Sequence, residues 1–273
     1  MKRWAVLGAL AGAAVAAVAF APASWLAAAV DDATGQRLLL ADARGTVWQG
    51  SAVVVLTGGH DSRDASALPG RLQWRLGLDG AALALRARQD CCLNGEVLLR
   101  LVPGLGRLRL ELPGAAGVAN TAAGAAVTVG QWPASWLVDL GTPWNTLRPS
   151  GTLQLSSPGL WLEQVQGRWR FNGRADLLLG GMASRLSTLD TLGSYRLTLS
   201  GDATRAEPAA LQLVTTGGAL QLQGSGQLLG PGAASRLRFN GQAAAQAGSE
   251  AALDNLLNII GRRRGAVSVI SIG

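Results

Sequence analysis

The sequence has a single histidine, His60, a single tyrosine, Tyr195, and a single lysine, Lys2, so acid–base chemistry drawing on several such groups has almost no material. Carboxylates are scarce too: 17 Asp and Glu in 273 residues, with no pair on one helix face that would make a catalytic dyad or a metal site. Cysteine is limited to the adjacent Cys91 and Cys92, which match neither a zinc-ligand spacing nor a C-x-x-C redox motif. The expectation is a protein that is not an enzyme and takes no cofactor and no metal. Charged residues make up only 15%, against about a quarter in soluble domains, which disfavours a bundle of surface helices.

What is present points elsewhere. A hydrophobic share of 48% over this length can bury a sizeable core, which excludes general disorder, and 37 glycines supply turns for many short strands. The net charge of +7 comes from 24 basic residues, all but one of them arginine. Most stand singly among leucines, as in Arg107-Leu108-Arg109-Leu110, and no aromatic-interleaved basic stripe appears, so no nucleic-acid partner is expected. The one compact run, Arg262 to Arg264, follows a predicted helix C-terminus, where positive charge complements the helix dipole. For Cys91 and Cys92 the favoured reading is two buried thiols, because neighbouring Cα atoms lie only about 3.8 Å apart and a bridge would be strained. An oxidising compartment keeps the disulfide open as the other reading.

After Lys2 and Arg3 the chain carries no charge from Trp4 to Val30. This reads either as a signal peptide, with Ala21-Pro22-Ala23 imitating a cleavage site, or as an uncleaved anchor built from Trp4, Val6, Leu7, Leu10, Val15, Val18 and Phe20. The long apolar run favours the anchor. Lys2 and Arg3 stay on the cytoplasmic side in both readings, which export everything that follows. Residues 1–21 are therefore set apart as cytoplasmic start and transmembrane helix, and 22–273 as a periplasmic domain.

In that domain Ser24 is expected to cap a short helix that stops at Gly35. Period-two strands follow. Leu72 to Leu78 alternates strictly and Asp79-Gly80 is read as a two-residue turn into Leu83, Leu85 and Ala87. The same period recurs in Arg107 to Leu112, Tyr195 to Leu199, Leu220 to Gln223 and Arg236 to Phe239, with Leu and aromatics on one face and Arg, Gln and Thr on the other. The fold class is mainly β: a curved antiparallel sheet closing as a sandwich, a barrel or an open groove, with a few short helices. Ser249 is expected to cap a helix with Leu253, Leu256, Leu257 and Ile260 on one face, stopping at Gly261 and plugging an end of the sheet, before a final strand from Val267 to Ile272. Pro-Ala-Ser-Trp-Leu occurs at both Pro22 to Leu26 and Pro133 to Leu137, which raises two similar halves, 22–112 and 131–273, joined by the Ala- and Gly-rich stretch Pro113 to Gly130.

No motif here carries chemistry. His60 sits in Gly58-Gly59-His60-Asp61, a turn-like segment without a second histidine, and reads as a surface residue. Gly224 to Gly230 has the wrong spacing for a dinucleotide loop and continues a strand. The nine tryptophans are accounted for by packing and membrane-interface placement.

Several segments, in order, resemble protein N of the bacterial type II secretion system. They are the apolar start; Pro22 to Leu26; Gly45-Thr-Val-Trp-Gln-Gly-Ser51; Leu68-Pro-Gly-Arg-Leu-Gln-Trp74; Leu192-Gly-Ser-Tyr-Arg-Leu197; Thr215 to Gly226; Phe239-Asn-Gly-Gln-Ala243; and Leu256 to Arg263. The resemblance implies a single-pass inner-membrane protein whose periplasmic domain is an accessory part of the secretion machine, touching the inner-membrane platform or the outer-membrane secretin. It implies no catalytic residues, and it favours the retained anchor. The alternative is an envelope protein with a lipid- or lipoprotein-binding groove, since an apolar sheet face left partly open makes a channel for acyl chains. A hydrolase using His60 and a distant serine ranks far below both.

Overall fold

Rows of leucine at every second position make strands nearly everywhere, and glycine sets where they turn. The computed structural model describes residues 2–60, 62, 64–114, 125–141, 144–166, 168–204, 208–229 and 236–273. Two helices open the chain, α1 (Lys2–Ala19) and α2 (Ala23–Thr34). Seven strands follow: β1 (Leu38–Gly45), β2 (Gln49–Thr57), β3 (Ala65–Ala67), β4 (Leu72–Asp79), β5 (Ala82–Arg88), β6 (Glu96–Gly104) and β7 (Arg107–Leu112). After β8 (Val127–Pro133) come a 3₁₀ turn (Ala134–Leu140), α3 (Trp144–Leu147) and the long strands β9 (Pro149–Val165) and β10 (Arg168–Ser184). The chain then runs through β11 (Gly193–Gly201), β12 (Ala209–Gly217), β13 (Leu220–Leu229), β14 (Arg236–Ala245), α4 (Glu250–Ile260), β15 (Arg262–Arg264) and β16 (Val267–Ile272).

All these strands belong to one sheet, in the order β1-β2-β4-β5-β6-β7-β9-β10-β11-β12-β13-β14-β16-β15, with β3 added to β2 and β8 to β9. Neighbours are antiparallel, and β1 and β15 do not pair with each other, so the sheet is open. Of the three closures the sequence allowed, the barrel and the sandwich are excluded. The accessible surface, 16118 Å², supports this, since a compact monomer of 28.0 kDa exposes about 11,000 Å². The sheet nonetheless curves. The 3₁₀ turn packs on β9 and also on β2 and β3, and Trp136 Nε1 donates to the Ser66 carbonyl at 3.1 Å. Strands β2 and β9 stand five places apart in the sheet, about 24 Å if it were flat.

Burial is divided among four clusters along the concave face. Ala23, Ala52 and Trp74 form one under α2, and Val54, Leu68 and Cys92 form a second with Trp132 and Trp136. Ala134, Leu153, Met182 and Tyr195 form the third, and Leu192, Leu220, Ala243 and the α4 leucines 253, 256 and 257 the fourth. The repeated pentapeptide has matching roles: Pro22 and Pro133 each precede a helical turn in extended geometry, and Ala23 and Ala134 each bury completely.

Several local expectations change in the structure. No helix among the described residues is long and apolar enough to cross a membrane. α1 forms, but it spends its first positions on Lys2 and Arg3 and ends at Ala19, leaving about 24 Å of apolar helix against about 30 Å of hydrocarbon. The anchor residues Trp4, Val6, Leu7, Leu10, Val15, Val18 and Phe20 are all more than half exposed. Ser24 lies inside α2, which Pro22 opens, although Gly35 ends it in the left-handed conformation as expected. The β4–β5 turn is Gly80-Ala81, because Asp79 already pairs with Ala82. The end of the proposed connector is strand β8, paired with β9, while residues 115–124 lie outside those described.

At α4 the expected apolar face is buried and the helix stops at Gly261 as expected, but the capping groups differ from those read in the sequence. Ser249 makes no side-chain cap; instead the Gly248 N–H donates to Glu250 Oε2 at 2.8 Å. Gly261 is extended and its value is closeness, since a Cβ there would fall 2.6 Å from the Val269 carbonyl. The helix end is satisfied from outside: Ser268, fully buried on β16, donates to the Leu257 carbonyl at 2.6 Å. The cysteines differ as well. Cys91 and Cys92 are joined in a disulfide, Cα atoms 3.7 Å apart, in a tight turn where Cys91 faces solvent and Cys92 packs below.

Candidate functional site

A large concavity lies where the C-terminal strands curve beneath α4. Strands β10 to β14 and β16 wall a trough of about 1270 Å³, above the roughly 300–1,000 Å³ typical of small-molecule pockets. Period two explains its lining: each strand sends every second leucine or aromatic inward, while Gln, Thr and Arg take the outer face.

Glycine shapes the floor. A Cβ on Gly224 would stand 2.4 Å from Phe239 Cζ, and one on Gly241 2.8 Å from Cε1. The Phe239 ring therefore lies flat over the glycines of β13 and β14 and is buried there, leaving the space above it open. Hydroxyls in the wall are engaged. Tyr195 donates to the Leu220 carbonyl at 3.1 Å, Ser184 to the Leu147 carbonyl at 2.6 Å and Ser271 to Asn240 Oδ1 at 3.1 Å. Burial pushes the Tyr195 hydroxyl well above the usual tyrosine range, so it stays protonated.

Arg262 and Arg264 line the mouth. Strand alternation turns Arg263 the other way, where its Nη2 meets Asp254 Oδ1 at 3.2 Å. The arginine run read in the sequence as a dipole complement is thus split by a short strand into one ion-paired member and two trough residues. Among the described residues no acidic side chain lines the trough. With two arginines at its mouth, occupied hydroxyls and leucine walls, the arrangement suits binding.

The other candidates lie apart from it. His60 is exposed in a turn, and its neighbour Asp61 lies outside the described residues. Gly224 to Leu229 is strand, with Gly230 outside the described residues. Among the described residues no three His, Cys, Asp or Glu side chains gather as metal ligands. Cys91 and Cys92 sit at the N-terminal side of the sheet, beside β8 through the Leu93–Gly130 bridge. Sequence reasoning missed Arg262, Arg264 and Phe239 as site residues. The available signal was the short strand after α4 and the glycines opposite Phe239, neither of which stands out without the pairing.

One further cluster of charge is structural. Arg71 ties the edge: its Nη1 lies 2.7 Å from Asp42 Oδ2 and its Nη2 2.6 Å from the Asp42 carbonyl, holding the bulge between Ala41 and Arg44 in β1. Hydrogen bonds from Arg71 and Arg44 hold the Asp42 carboxyl below the usual range. The bulge interrupts β1 after Ala41 and leaves Leu38 to Ala41 as regular strand.

No curated protein and no solved structure matches this chain. A family model does: the type II secretion system protein N model matches residues 36–270, which takes in the whole sheet from β1 to the end of β16 bar its last two residues. With that coverage, the open sheet belongs to a member of the type II secretion system protein N family.

Proposed function

We propose that the protein is an accessory component of type II secretion, held at the bacterial inner membrane by its N-terminal segment and acting in the periplasm by binding other secretion components rather than by catalysis. The family match over residues 36–270 carries this reading. α1 supports the membrane placement: Trp4, Val6, Leu7, Leu10, Val15 and Val18 are exposed along it, while its end is fixed to the sheet by Trp48 Nε1 donating to the Val18 carbonyl at 2.8 Å. The Cys91–Cys92 disulfide is compatible with an oxidising compartment.

Strand addition supplies the binding mode. β1 pairs only with β2 along its length, and β15 covers β16 only from Val267 to Val269, leaving Ile270 to Ile272 with β14 on one side. Both are backbone edges a partner strand can extend. A photocrosslinker at Ala41 on β1 or at Ser271 on β16 is expected to capture an inner-membrane platform protein or the secretin in cell envelopes, and one at Leu105 on the β6–β7 turn is not. Capture of no secretion component from either edge overturns the reading. Removing residues 2–19 is expected to release the chain from alkaline-washed membranes.

A further inference from the structure

We infer that the trough under α4 is a binding site for an anionic membrane lipid, its acyl portion lying across β10 to β14 and β16 and its headgroup at Arg262 and Arg264. This goes beyond the secretion reading and takes from it only the envelope location.

Three observations carry it. The first is the wall. Leu197, Leu211 and Leu237 line the trough, yet they belong to none of the four buried clusters, so they present apolar surface to the trough instead of to one another. Protein interiors are packed with few voids larger than a water molecule, and a trough of about 1270 Å³ is a formed surface rather than a packing flaw. The hydroxyls that could anchor water are already bonded within the protein.

The second is length. Wall residues come from six strands adjacent in the sheet, which at ~4.8 Å per strand spans about 24 Å. One leaflet of hydrocarbon is about 15 Å deep, so an extended acyl chain fits along the trough. Flattening of Phe239 over Gly224 and Gly241 keeps that path clear.

The third is the mouth. Ile259 and Ile272 are half exposed beside Arg262 and Arg264, both of which are exposed and make no ion pair among the described residues. An apolar rim next to two exposed cations, with no carboxylate among the described lining residues, complements a lipid whose acyl portion enters and whose phosphate stays outside.

The test uses the full chain in phosphatidylcholine vesicles containing phosphatidylglycerol with a photoactivatable group on an acyl chain, followed by peptide mapping. Labelled peptides are expected from β11 to β14 and from α4, with label displaced by unlabelled phosphatidylglycerol. Leu211→Trp, which fills the trough, is expected to lower that label about tenfold while label on α1 is unchanged. Arg262→Gln with Arg264→Gln is expected to cost about fivefold per charge in the preference over a phosphatidylcholine probe. Label confined to α1, or trough label that excess phosphatidylglycerol leaves in place, overturns the inference. So does displacement by palmitate as effective as by phosphatidylglycerol, which assigns the trough to free fatty acid. The wild-type map and its displacement decide the matter even if Leu211→Trp misfolds. Edge crosslinks retained without trough label count against this inference alone.

Discussion

Arg109 and Glu163 stand directly opposite each other where β7 pairs with β9, with Nε and Nη2 of the arginine 3.1 and 3.0 Å from Oε1 of the glutamate. The guanidinium also lies 4.3 Å from the Trp161 ring centroid. This pair closes the seam between the N-terminal and C-terminal strands, which pair here although the two residues are 54 positions apart.

Because Glu163 is buried and Arg109 is not, removing the carboxylate leaves the cation against the Trp161 ring with only Glu111 at 3.8 Å. Glu163→Ala is expected to lower stability by about 1.5–3 kcal/mol, and Glu111→Ala by less than about 0.5 kcal/mol. Urea denaturation followed by tryptophan fluorescence measures both, and equal losses would mean the seam does not depend on the pair.

Asp176 on β10 gives the fold an acid-sensitive point. Burial works against its ionisation, but Arg174 at 2.7 Å and Thr198 at 2.6 Å bond the charged form, and the carboxyl is held below the usual range. A lowered folded pKa adds stability that is complete above the unfolded value of about 3.9 and is lost as pH falls through the folded value. Asp176→Asn is therefore expected to melt below wild type at pH 7, with the gap closing below about pH 4. A gap that stays constant with pH would rule the charge out as the cause.

α4 has two unlike sides. Leu256 is fully buried against Leu192 and Leu220, whereas Ile259 is half exposed at the trough mouth. Leu256→Ala is expected to cost about 2–5 kcal/mol, while Ile259→Ser stays within about 0.5 kcal/mol in thermal melts.

The cysteines yield to intact-mass measurement. Denatured without reductant, the chain is expected to take up no iodoacetamide, and after reduction to take up two equivalents, because both cysteines are in the bridge. The loop it closes is minimal, so Cys91→Ser is expected to shift stability by only about 1 kcal/mol.

His60 is exposed and away from the trough. His60→Ala is expected to leave secretion by a strain carrying it unchanged. A secretion defect without loss of protein would reopen the hydrolytic reading.

Much of the fold was legible because strand periodicity is a local property. Leu72 to Leu78, Arg107 to Leu112 and Val267 to Ile272 are strands as their alternation predicts. The groups that satisfy the ends of α4 and the cysteine state were not, because other elements decide them. The partner for the end of α4 is Ser268 on a later strand, and the Cys91–Cys92 turn is packed against Trp132 and Trp136.

By itself, then, the sequence determined that the chain makes antiparallel strands with one apolar face, that α4 buries Leu253, Leu256 and Leu257, and that acid–base groups are too few for most chemistry. Only the tertiary structure decided that the sheet stays open, and that Arg262 and Arg264 face the trough while Arg263 turns away. Alternation is written in neighbouring residues. Curvature, edge pairing and the volume left above Phe239 depend on strands that meet only in space.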